Sequence, residues 1–140
     1  MSEYDPTDDM LTLLKGAFEG EEGRTVFIGR EWELKNLDLN QMDYILIRDA
    51  YEEDEYLGIG GMEFVRNITV ELIIKTNLGR ERVRELGEKL RRYLRGKENW
   101  MVGERLLLNL QVRSGDLSRD ERGIWSLVIV VEWFQIEVRV

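Results

Sequence analysis

Three groups of residues in this chain have the types and spacing that chemistry requires. The first is Glu33-Leu34-Lys35, an acid–x–lysine triplet with Asp8 and Asp9 upstream. In one large group of nucleases this pattern holds a divalent ion, which polarises the attacking water. Here the triplet lies in a stretch without a clear period, and the upstream aspartates belong to a helix start. With 34% of residues charged, a three-residue match is expected by chance. A metal-dependent nuclease is therefore kept as an alternative reading.

The second group is an acidic run containing Asp49, Glu52, Glu53, Asp54 and Glu55. Carboxylate oxygens suit hard cations such as magnesium and calcium. The run lacks the alternating ligands and internal glycine of a calcium loop, so a solvated charge run is expected and no metal site is assigned. The third group is a helix pattern carrying Arg80, Arg82, Arg84, Lys89, Arg91, Arg92 and Arg95 among Glu81, Glu85 and Glu88. Glu85 with Lys89, and Glu88 with Arg92, have the i,i+4 spacing of stabilising ion pairs. Such interspersed charge reads as a solvated face rather than a nucleic-acid patch. Arg84, Arg91 and Arg92 are the candidates for docking an acidic partner, as a non-viral protein-binding module would. Neither Gly58-Ile-Gly-Gly61 nor Gly20-Glu-Glu-Gly23 opens a helix after a strand, so a phosphate cradle has little support.

The absences narrow the chemistry further. With no cysteine and no histidine, disulfides, thiolate metal sites and thiol catalysis are excluded, and the commonest general base is missing. The expectation is a protein without catalytic residues, metal or cofactor. A net charge of −8 opposes general affinity for nucleic-acid phosphates, because like charges repel. The longest apolar run is Leu127–Val131, far short of the roughly 20 residues a membrane span needs. The acidic start, Met1–Asp9, does not resemble a secretory signal. A cytosolic or particle-associated protein is expected.

The elements that would position these residues follow from periodicity. Asp8 or Asp9 caps a helix over Met10–Phe18, and Thr25–Ile28 forms a short strand. Residues Gly29–Gln41 make an irregular, partly packed connection. Tyr44–Arg48 and Met62–Lys75 form a hairpin around the acidic loop Asp49–Glu55. In the second strand Phe64, Ile68, Val70, Leu72 and Ile74 share one face. Asn77 caps a helix over Leu78–Arg95, with Val83, Leu86, Leu90 and Leu94 as its buried stripe and Gly87 allowing a close approach. Leu106–Arg113 is a strand, Ser114–Gly123 a polar connection, and Ile124–Val140 a strand of unusual length. The result is a single α+β domain spanning 1–140, a mostly antiparallel sheet with two helices packed on one face, in the order α-β-β-α-β-β.

The last strand weighs most. Strands average five or six residues, so a pattern running to Val140 overshoots its neighbours. Its apolar end, Phe134, Ile136, Val138 and Val140, is the candidate interface for another copy, offering backbone and side chains to a second sheet.

The order of elements resembles that of the tail-terminator, or tail-completion, proteins of long-tailed phages. The resemblance rests on the long strand Glu63–Lys75, the amphipathic helix Arg80–Arg95, the closing pair Leu106–Arg113 and Ile124–Val138, and the N-terminal helix Asp8–Phe18. It covers most of the chain as a pattern of elements, without a diagnostic motif. It implies a structural ring, commonly of six copies, that ends the tail tube and joins it to the head connector. It also implies a location in the virion tail, or in the host cytoplasm during assembly. DNA passes through such a ring without sequence-specific recognition, and the acidic run would line the channel or make an axial contact. Gly29–Gln41 and the strongly basic helix depart from the pattern.

Overall fold

Two long strands form the axis of the molecule. β4 (Glu63–Thr76) and β7 (Trp125–Val138) pair antiparallel along their whole length, from Glu63 opposite Val138 to Thr76 opposite Trp125. Both are rich in β-branched and apolar residues, which pack well across a pleated surface. The computed structural model describes residues 5–18, 25–34, 36, 38–48, 51–56, 63–97, 99–102 and 105–138.

Five further strands complete one sheet: β1 (Thr25–Arg30), β2 (Met42–Ile47), β3 (Tyr51–Tyr56), β5 (Trp100–Val102) and β6 (Arg105–Arg119). Their order is β1-β2-β4-β7-β6-β5, and β3 also pairs with β4. β1 and β2 run parallel; the other pairings are antiparallel. β2 and β3 lie end to end along one flank of β4, opposite Leu72–Lys75 and Phe64–Thr69 respectively. The parallel pair needs a crossover, supplied by residues 31–41. These include a 3-10 turn, Glu31–Glu33.

Both helices pack on one face. α1 (Pro6–Leu14) buries Met10, Leu13 and Leu14, and α2 (Arg80–Arg95) buries Val83, Leu86, Leu90 and Leu94. These meet Ile68, Val70, Leu72 and Ile74 of β4 and Leu127, Ile129, Val131 and Trp133 of β7 in one core. Gly87 lets α2 sit close, since a Cβ there would lie 2.6 Å from Leu127 Cδ2. The Tyr93 hydroxyl donates to the Leu13 carbonyl at 2.6 Å and ties the helices together. On the opposite face the crossover forms a smaller lid, where Leu39 packs with Tyr44, Leu46 and Ile73. Apolar residues on both faces of β2 are thus covered on both sides. The fold class is α+β as expected, with more strands than the sequence reveals.

Several expectations change. α1 is capped by Asp5, whose carboxylate accepts from the Thr7 amide at 2.9 Å, with Pro6 in the first turn; Asp8 and Asp9 lie inside the helix. It stops at Leu14 because Lys15 turns extended. α2 starts at Arg80 behind Gly79, with no side-chain cap, rather than behind Asn77. The acidic segment is strand and not loop over Tyr51–Tyr56, because β4 offers its backbone there. The polar connection is also largely strand: β6 continues to Arg119, held by pairing to β7 through two register shifts. At the second shift Gly115 has no room for a side chain, as a Cβ would lie 2.9 Å from the Val128 carbonyl oxygen.

The overhanging last strand is the largest correction. β7 is a central strand, paired to β4 through Val138 and to β6 from Trp125 to Ile136. Its backbone is therefore taken up on both sides from Trp125 to Ile136, so Phe134 and Ile136 are not on an edge, while Val138 pairs with β4. Val140 lies outside the described residues. The alternation also changes its meaning past Trp133: parity places Gln135 in the core, 1% exposed, and Phe134 on the outer face.

Two polar features sit inside this apolar frame. The Asp43 carboxylate is fully buried and accepts from Thr76 Oγ1 at 2.6 Å and Arg82 Nε at 2.8 Å, joining β2, β4 and α2. Asp43→Ala is expected to cost about 3 kcal/mol in urea unfolding, since breaking a buried pair strands its partners. Gln135 has no hydrogen-bond partner for either amide atom among the described residues. Gln135→Met, which removes an unsatisfied buried amide at similar volume, is expected to stabilise by about 1 kcal/mol in the same measurement. At the β6–β7 turn the Asp120 carboxylate accepts from the amides of Ile124 and Arg122 at 2.9 and 2.8 Å. The Ile124 bond foremost holds its pKa below the ordinary aspartate value. A depressed carboxylate stabilises above its unfolded pKa and loses that contribution as pH falls through the folded one. Asp120→Ala should therefore lower the thermal midpoint at pH 7, with the difference from wild type shrinking below about pH 4.

Candidate binding surfaces

The enzyme-like triplet resolves into an ion-pair cluster. Arg30, at the end of β1, pairs with Asp8 on α1 and with Glu33 Oε1 at 2.7 Å. The upstream aspartate and the triplet glutamate do converge, but on a guanidinium that pairs with both. Lys35 lies outside the described residues. Arg48 makes a similar bracket beside it, with Nε at 3.4 Å from Glu31 and Nη1 at 3.2 Å from Glu71. Burial works against its charge, but the hydrogen bonds to Glu71 and Glu31 outweigh it and raise the guanidinium above its ordinary value. Both brackets are partly exposed, so they orient the crossover more than they stabilise it.

Of the acidic run, Asp49 lies outside the described residues. Glu52, Glu53, Asp54 and Glu55 occupy β3 opposite Ile68, Asn67, Arg66 and Val65. Four carboxylates in six residues thus fall on a strand whose other side pairs with no described strand. Charge on an edge strand discourages further pairing.

On α2, Arg84 and Arg91 share a cleft of about 340 Å³ with Glu88, Leu117 and Leu127. Arg92 stays outside it, its side chain 78% exposed. Glu88 lies 3.8 Å from Arg91 and 3.9 Å from Arg92. That carboxylate thus stands between Arg91 and Arg92, and only Arg84 and Arg91 line the cleft. Glu85 is engaged by Arg82 at 3.2 Å.

Two surfaces escaped the sequence reading. One is the edge at β1. Its outer side pairs with no described strand, and beside it a cleft of about 520 Å³ is lined by Leu11, Thr12, Lys15, Val26, Phe27 and Ile28. Phe27 is 40% exposed, its ring over Gly29 and 5.9 Å from that of Tyr44. The signal was present in Thr25–Ile28, but a short strand alone does not say whether it is central or at an edge. The other is a polar concavity of about 290 Å³ on the outer face, where Asn67, Asn109, Gln111, Glu132 and Phe134 meet at the first β6 bulge. Asparagine is disfavoured in strands, and two of them inside strand patterns were the available clue.

Among the described residues no helix is long and apolar enough to cross a membrane. Compared with protein-family models and with curated proteins, the chain shows no match to either.

Proposed function

We infer that this protein is a structural subunit that assembles with copies of itself. The setting we propose is the one implied by its likeness to tail-terminator proteins: a ring at the end of a phage or prophage-like tail tube, between tube and head connector. The observation that carries the assembly reading is the β1 edge, whose outer side pairs with no described strand, with its apolar cleft. An unpaired strand edge offers a row of backbone donors and acceptors, and a neighbouring strand is the natural ligand for it.

The contrast with β3 supports this assignment. β3 is blunted by four acidic residues, whereas Thr25-Val-Phe-Ile-Gly-Arg30 carries a single charge at its end. Arg30 is already engaged by Asp8 and Glu33. A strand from a second copy would satisfy the β1 backbone while its side chains cover Phe27 and fill the cleft. In such a ring the acidic β3 would serve as a surface that DNA does not adhere to, because like charges repel.

The decisive measurement is solution mass by light scattering coupled to size exclusion. Wild type is expected to run as a discrete oligomer, and Phe27→Asp, which buries a charge at the junction, as a monomer with unchanged circular dichroism. A wild-type monomer at the highest attainable concentration would rule the reading out. Trimming the C-terminal residues from Phe134 is not a clean alternative, because it removes part of a strand paired on both sides.

A further inference from the structure

The outer-face concavity at the β6 bulge combines three features that packing alone does not require. Leu108 lies opposite Phe134 and Gln111 opposite Glu132, so Asn109 and Leu110 both stand against Trp133. Leu110 turns into the core, 5% exposed, while Asn109 takes a φ of 54° and remains exposed at the cavity. The Asn99 side chain accepts from the Asn109 amide at 3.2 Å and holds the bulge. Bulges and left-handed non-glycine residues concentrate at sites where a strand must re-aim a side chain. Across the cavity, Asn67 Oδ1 is buried and has no hydrogen-bond partner among the described residues. Phe134, directly opposite Asn67 in register, is 40% exposed in the middle of the sheet.

We propose that this concavity binds a neutral sugar ring. Such a ring presents one face of C–H groups, which packs on an exposed aromatic, and a rim of hydroxyls that both donate and accept. Phe134 supplies the aromatic surface. The amides of Asn67, Asn109 and Gln111 offer donors and acceptors together, and Thr69 and Glu132 add a hydroxyl and a carboxylate. Arg113 pairs with Glu132 and orients it, leaving no unpaired cation in the lining. That lining and the acidic chain disfavour a phosphate-bearing ligand, although a nucleobase would also stack on phenylalanine. The volume of about 290 Å³ lies at the bottom of the roughly 300–1,000 Å³ range of small-molecule sites, which suits one ring rather than a chain. With one side open to solvent, a Kd of about 1 mM is the expected scale.

Saturation-transfer NMR on the full chain tests this with glucose, galactose, mannose and N-acetylglucosamine, and with adenosine as the stacking control. At least one sugar should receive transfer at its ring C–H protons. Phe134→Ala should abolish it and Asn67→Ala should weaken binding about tenfold, with thermal midpoint and solution mass unchanged. Gln111→Ala, at an exposed position, should weaken binding while leaving the fold untouched. The proposal fails if no sugar receives transfer, if adenosine alone does, or if Phe134→Ala or Gln111→Ala leaves transfer unaltered. It also fails if Phe134→Ala changes the oligomeric mass, which would make the patch a contact between copies. Phe27→Asp leaves this site intact, so loss of assembly and loss of sugar binding are separately readable.

Discussion

The antiparallel ladder between β4 and β7 is the interaction on which the other elements depend. It joins residues from 49 positions apart, at Thr76 and Trp125, to 75 apart, at Glu63 and Val138, and extends over 14 residues of each strand. Each flank of this pair then templates another layer: β2 and β3 on β4, and β6 on β7. The acidic Tyr51–Tyr56 and the polar end of β6 have little intrinsic reason to be extended. They become strands because a long, well-anchored partner presents its free backbone groups, and a buried ladder is costly to leave unpaired.

The two faces of the sheet differ in how fully they are covered. On the inner face α1 and α2 close the core, helped by Gly87 and by the Tyr93 hydroxyl. On the outer face the crossover covers only the end near Tyr44, Leu46 and Ile73. Away from that end, Asn67, Thr69, Gln111 and Glu132 lie around Phe134, which is 40% exposed. The same asymmetry appears at the rim, where β3 carries carboxylates and β1 does not. Among the described residues, the surfaces left uncovered include the outer side of β1 with its apolar cleft and the concavity around Phe134.

Much of the architecture was legible from local pattern. The period of two in β4 and the stripe of Val83, Leu86, Leu90 and Leu94 correctly placed the main core, with Phe64 lying among residues whose side chains are not described. The apolar middle of β7 announced a central strand. What local pattern could not tell was where that strand stopped being central. A long alternating end looks the same whether its backbone is free or paired on both sides.

By itself, then, the sequence determined the α+β class, the two amphipathic helices, the strand pair at the centre and the absence of histidine and cysteine chemistry. These depend on side-chain types and on spacings within one element, which are written along the chain. Tertiary structure alone decided that β7 is flanked on both sides from Trp125 to Ile136, that Glu33 and Asp8 meet at Arg30, that Gln135 rather than Phe134 points inward, and that the outer side of β1 pairs with no described strand. Each of these is a question of register or of neighbours distant in sequence. A one-residue change of register exchanges the two faces of a strand, so no local pattern could have settled them.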